Sequence, residues 1–69
     1  MFIRLRELRL EKGLTVEKVA SVIGVDQVYY SRLELGIFDI SVKQLIILAM
    51  YYGVSTDYIL RLTDERVVP

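Results

Sequence analysis

The chain has 69 residues, nine Lys and Arg against nine Asp and Glu, and neither cysteine nor histidine. At this length one small domain is expected, because domains usually run to about 100–200 residues. The missing residue types exclude a disulfide framework, a Cys/His zinc site, histidine acid–base catalysis and a cysteine nucleophile, and the 54% hydrophobic content argues against disorder.

Charge is uneven along the chain. Residues 1–32 carry six cations against four anions, a net of +2, and residues 33–69 carry three against five, a net of −2. The expectation is a mildly basic working end and an acidic far end. The longest apolar run, Leu45 to Tyr52, falls short of the roughly 20 residues a bilayer needs. The opening MFIRLRELRLEK has charges every two or three residues and lacks the apolar stretch of a signal peptide. The expected location is the cytoplasm, with no membrane association.

Five short helices are predicted, over 2–12, 16–23, 27–35, 42–52 and 56–62, and no segment alternates as a half-buried strand does. The first has Phe2, Leu5, Leu8 and Arg9 on one face. Thr15 is placed to cap the second, whose apolar stripe is Val19, Ala20 and Ile23. After the short turn at Gly24 and Val25, Asp26 caps the third. Ser41 and Gln44 have capping-box spacing and open the fourth. Ser55 caps the fifth. Gly13, Gly24, Gly36 and Gly53 each follow a helical stretch, where a left-handed C-cap belongs.

The informative segment is VEKVASVIGVDQVYYSRLEL, residues 16–35. It reads as helix, tight turn, helix. Ala20 is small where the two helices of this segment cross, Gly24 suits the corner, and Val19, Ile23, Val25, Tyr30 and Leu33 fill the angle. This is the layout of a DNA-binding helix-turn-helix; an ordinary αα-corner in a helical bundle is the other reading of the same spacing.

The pieces RLRELRLEKGLT, VEKVASVIGV, YYSRLELG and YYGVSTDYILRLTDER resemble the phage repressor/Cro family, also called the XRE family. The resemblance spans residues 1–64, leaving 65–69 as a short tail. It implies an all-α, five-helix, lambda-repressor-like domain. It also implies a transcription regulator of bacterial or phage kind, binding operator DNA as a homodimer and needing no cofactor or metal. In helical phase, Gln27, Val28, Ser31 and Arg32 lie opposite the inward Tyr30 and Leu33, so they are the candidate base readers. A glutamine amide suits adenine and a valine a thymine methyl, while serine and arginine serve bases or phosphates. Phosphates are expected near Thr15, Val16 and Lys18 and near Ser41 and Lys43, at the helix starts. Arg9 and Glu34 match the family's structural ion pair.

Four positions depart from the family. Val16, Leu35, Ile37 and Phe38 are apolar where relatives carry polar or basic residues flanking the DNA backbone. That implies weaker, less salt-sensitive DNA binding, or a surface that docks a protein, as in an assembly or antitoxin-like module. A second apolar patch at Ile47, Met50 and Leu62 suits a homodimer interface; alternatively the C-terminal tail covers it. An enzyme is not expected, because a helical domain this small rarely encloses a pocket.

Overall fold

The computed structural model describes residues 4–67, so Phe2 and Ile3 of the expected first helix lie outside the described residues. The described chain is all-α: α1 (Leu5–Glu11), α2 (Val16–Val22), α3 (Gln27–Glu34), α4 (Val42–Tyr52) and α5 (Thr56–Ile59). Side chains of the local sequence start four of the five helices. Thr15, Asp26, Ser41 and Ser55 each accept a hydrogen bond from the backbone N–H three residues on. At α4 the box is reciprocal, with the Gln44 side chain accepting from the Ser41 N–H. Each such cap is worth about 1 kcal/mol. The start of α1 has no side-chain cap. Its Arg4 N–H donates instead to the Ile59 carbonyl at 2.8 Å, tying the helix to α5.

All five helices end in the same way. A residue just past the helix takes a left-handed φ and donates to the carbonyl three residues back, and the next N–H donates to the carbonyl five back. This is the Schellman arrangement. Glycine occupies the left-handed position in the first four. At the corner between α2 and α3, Gly24 has φ +72°, a conformation that costs a residue with a Cβ roughly 1–2 kcal/mol. In α5 the position is held by Arg61, at φ 62°. This explains why α5 stops at Ile59 and does not continue to residue 62: the Leu62 N–H has already turned back to the Asp57 carbonyl.

One core holds the helices together. Leu5 and Leu8 of α1, Val19 and Ala20 of α2, Tyr30 and Leu33 of α3, Leu48 and Ala49 of α4 and Ile59 of α5 are all buried. Each large aliphatic among them contributes about 1.5–3 kcal/mol by leaving water. Ala20 is 2% exposed, on the side of α2 that meets α3. A larger side chain at such a site overpacks, typically at a cost of about 1–3 kcal/mol.

Contacts continue past residue 64. Ser55 donates its N–H to the Arg66 carbonyl, and Arg66 makes a two-pronged ion pair with Glu11 at 2.6 Å. Arg61 pairs with Glu7 and Asp64 with Arg4, also at 2.6 Å. The guanidinium groups of Arg4 and Arg66 lie 4.2 and 5.1 Å from the centre of the Tyr58 ring. Residues 61–66 thus run along the outer face of α1 and meet it at positions 4, 7 and 11, one helical face. Each of these exposed pairs is individually weak. No described helix is long and apolar enough to cross a membrane.

Candidate nucleic-acid interface

The α2–turn–α3 unit presents one face of α3 to solvent. Tyr30 and Leu33 anchor it, and Gln27, Val28 and Arg32 project outward. The Arg32 guanidinium reaches 5.7 Å from the centre of the Phe38 ring, so its stem leans towards the loop after α3. Ser31 is only half-exposed. It lines a groove of about 420 Å³ between α1, the start of α2 and the end of α3.

Arg9 sets the angle of α3. Its Nε donates to Glu34 Oε2 at 2.8 Å and its Nη2 to Oε1 at 3.1 Å, while Nη1 donates to the Leu14 carbonyl at 3.2 Å. The Arg9 and Glu34 side chains are 13% and 7% exposed. A planar fork matched to a carboxylate fixes orientation as well as distance. Hydrogen bonding to Glu34 pushes the Arg9 pKa further up. Around this pair the Tyr30 and Tyr52 hydroxyls are buried without a hydrogen-bond partner among the described residues. Burial pushes both phenols up, Tyr52 to about 12. The charged pair and the two phenols join α1, α3 and α4. Sequence spacing gives no sign of the tyrosines' share in this cluster.

The backbone-contact candidates divide. Thr15 and Ser41 use their side chains as caps, and Lys18 and Lys43 are exposed. Val16 is half-buried against the core and also lines the groove.

The apolar departures are not one patch. Phe38 is half-buried, packed on the core and on the Tyr29 ring at a centroid distance of 5.1 Å. Leu35 and Ile37 are the exposed pair, at 60% and 63%. On α4, Met50 is 78% exposed and Leu62 beyond α5 is exposed too. Ile47 is half-buried, whereas Ile46 is exposed. Helical phase puts Ile47 opposite the core, but α4 is covered over more of its girth than phase alone assigns. The uncovered strip is Val42, Ile46 and Met50, spaced four apart. That spacing is a signal the sequence does carry.

A compact helical domain with an exposed α3 set across α2 by a glycine corner is a helix-turn-helix domain. The chain belongs to the XRE-type helix-turn-helix family: the helix-turn-helix family pattern matches residues 5–59. Two relatives come from Bacillus subtilis (strain 168). The uncharacterized HTH-type transcriptional regulator YobD is 44% identical over 62 residues, 90% of this chain and 55% of that protein. The SPbeta prophage-derived uncharacterized HTH-type transcriptional regulator YonR is 33% identical over 63 residues, 91% of this chain and 58% of that protein. The chain therefore spans just over half the length of these curated relatives. No solved structure matches it.

Proposed function

We propose that the chain is a sequence-specific double-stranded-DNA-binding regulator of transcription that acts as a repressor, and that its homodimer reads two successive major grooves with α3. The observation that carries this reading is the α3 face itself: Gln27, Val28 and Arg32 stand outward while the Arg9–Glu34 pair and the Gly24 corner fix the helix behind them. Both relatives bear the name HTH-type transcriptional regulator, which supports the same class. Gln27, Val28 and Arg32 contact bases, with Ser31 at the edge of the contact. Thr15, Lys18, Ser41 and Lys43 flank the phosphates, with Val16 beside them. The second copy docks on the apolar residues Met50 and Leu62, joined by Ile46 and Val42 in place of Ile47. Such a dimer places its half-site centres about 34 Å apart, one turn of the duplex.

The exposed Leu35 and Ile37 favour a second reading, a helical module that binds a protein through this face. Fold alone does not choose between the two. Selection from a random duplex pool at two salt concentrations, with the solution mass of the protein measured alongside, tests the choice. The regulator reading expects a two-fold symmetric motif and a dimer mass. A folded protein that enriches no sequence sinks it and leaves protein docking.

A further inference from the structure

The ion pair that fixes α3 borders the groove on the α3 side. A second hollow, of about 350 Å³, opens between the turn after α1 and the last turn of α4 and is lined by Lys12, Leu14, Tyr51 and Tyr52. Its volume lies at the lower end of the range, about 300–1,000 Å³, that small-molecule sites occupy. Two of these four residues adjoin the Arg9–Glu34 pair. The Leu14 carbonyl accepts from Arg9 Nη1 at 3.2 Å. Tyr52 is 7% exposed, and Glu34 and Arg9 both act electrostatically on its phenol.

The lining sets the chemistry of what fits. Leu14 and the two tyrosine rings supply apolar surface, and the rings stand edge-to-face, with centroids 5.3 Å apart at 71°. Such a corner suits a flat ring, offset-stacked on one tyrosine and edge-on to the other. Lys12 is exposed and has no hydrogen bond or ion pair among the described residues. The neighbouring Glu11 is held on both carboxylate oxygens by Arg66, so the Lys12 ammonium is left for an anion from outside. The half-exposed Tyr51 hydroxyl is likewise without a hydrogen bond among the described residues. One ammonium balances one negative charge, which fits a carboxylate better than a phosphate dianion.

We propose that this hollow binds a small aromatic carboxylate, its ring against Tyr51, Tyr52 and Leu14 and its carboxylate on Lys12, and that the occupant acts on α3 through the Arg9–Glu34 pair. The path is short. A ligand seated against Leu14 and Tyr52 moves the carbonyl that receives Arg9 Nη1, and the planar fork carries that movement to Glu34, the last residue of α3. The ligand shifts α3 by as much as its affinity differs between the two positions of the helix. Binding in the hollow stands on its own geometry; the effect on DNA rests on the DNA-binding reading above.

Titration of the isotope-labelled chain with benzoate, followed by NMR at fixed ionic strength, tests the assignment. The amides of Leu14 and Tyr52 are expected to shift and saturate. The Nε–H of Arg9, which does not line the hollow, is expected to shift with them. Benzamide has the same shape without the charge and binds about tenfold more weakly, the order of a hydrogen bond to a charged group. K12A loses the same factor and K12R keeps the affinity. R6A removes an exposed cation of the other groove and leaves benzoate binding unchanged. Y51A weakens benzoate and benzamide alike. Saturating benzoate changes the affinity for the selected duplex by about fivefold or more, the usual size of coupling between two sites, and acetate at the same concentration does not. No saturable shift, equal binding of benzamide, or an equal loss in R6A overturns the site. Saturation that leaves the Arg9 Nε–H unmoved, or the duplex affinity unchanged, overturns the coupling to α3. If the chain binds no duplex with or without benzoate, the DNA-binding reading fails, and the titration still decides the site.

Discussion

The Phe38 ring lies 5.1 Å from the Tyr29 ring at a 38° tilt, and that contact turns an apolar loop residue into part of the support for α3. Tyr29 sits in the first turn of α3, and its N–H is held by the Asp26 cap. Phe38 lies in the turn that leaves the same helix, where its N–H donates to the Arg32 carbonyl at 3.3 Å. The two rings therefore brace one end of α3 against the other. At the end of α3 and in the turn after it, Leu35 and Ile37 remain exposed.

Replacing the exposed pair alone tests what this surface does. L35N/I37K leaves the ring pair intact and adds a cation beside α3. If the chain is a DNA regulator, duplex binding tightens and its salt slope rises by about 0.9. If the face docks a protein, partner binding disappears and the duplex slope stays as it was. F38R is a poor probe, because it removes the aromatic pair, worth about 0.5–1.5 kcal/mol beyond its burial.

Gln27 is the strongest candidate for base reading. Q27A is expected to cost about 1–3 kcal/mol on the preferred site and to relax preference at one base position per half-site. Binding selection repeated with the variant checks this. An unchanged motif rules Gln27 out as a reader.

Arg9 and Glu34 form a nearly buried pair, so removing one partner strands the other charge. R9A is expected to lower stability by about 3–5 kcal/mol. A chain of this size has roughly 3–10 kcal/mol in total, so R9A is close to unfolding at room temperature. Urea denaturation followed by circular dichroism measures the loss.

The Glu11–Arg66 contact makes the C-terminal strap acid-sensitive. Hydrogen bonding to Arg66 lowers the Glu11 pKa below its ordinary 4.5. The unfolded chain then takes up the proton more readily than the folded one. The stabilisation is complete above pH 4.5 and disappears as pH falls through the lowered value. The amide of Ser55, which donates to the Arg66 carbonyl, reports on the strap. Its exchange protection is expected to fall in that window before the amide of Leu33 opens, and E11Q is expected to show the weaker protection at neutral pH.

Tyr52 gives the opposite limb. Burial raises its phenol to about 12, so the fold favours the neutral form. Stability is full below the ordinary value of 10.0 and is lost as pH rises through about 12. Y52F is expected to extend stability further into alkali, and to raise it by about 1 kcal/mol at neutral pH, because a buried hydroxyl without a partner is removed. Denaturant midpoints across that range check both effects.

Local structure follows from neighbouring residues. The caps at Thr15, Asp26 and Ser55 and the Ser41–Gln44 box join residues three apart, so they are written in neighbouring letters. The four glycine ends and the Ala20–Gly24 corner are equally local. What covers each face comes from the packing of the helices, because burial depends on segments brought close from far along the chain. Arg66 meets Glu11 across 55 positions, and no periodicity predicts that. The same holds for the partial cover over Ile47 where Ile46 is left exposed, for Phe38 folding onto Tyr29, and for Arg6 and Arg61 bordering one groove. Helical phase fixes the direction of a side chain along its own axis; the docking of the helices decides whether that direction ends in water or in another side chain.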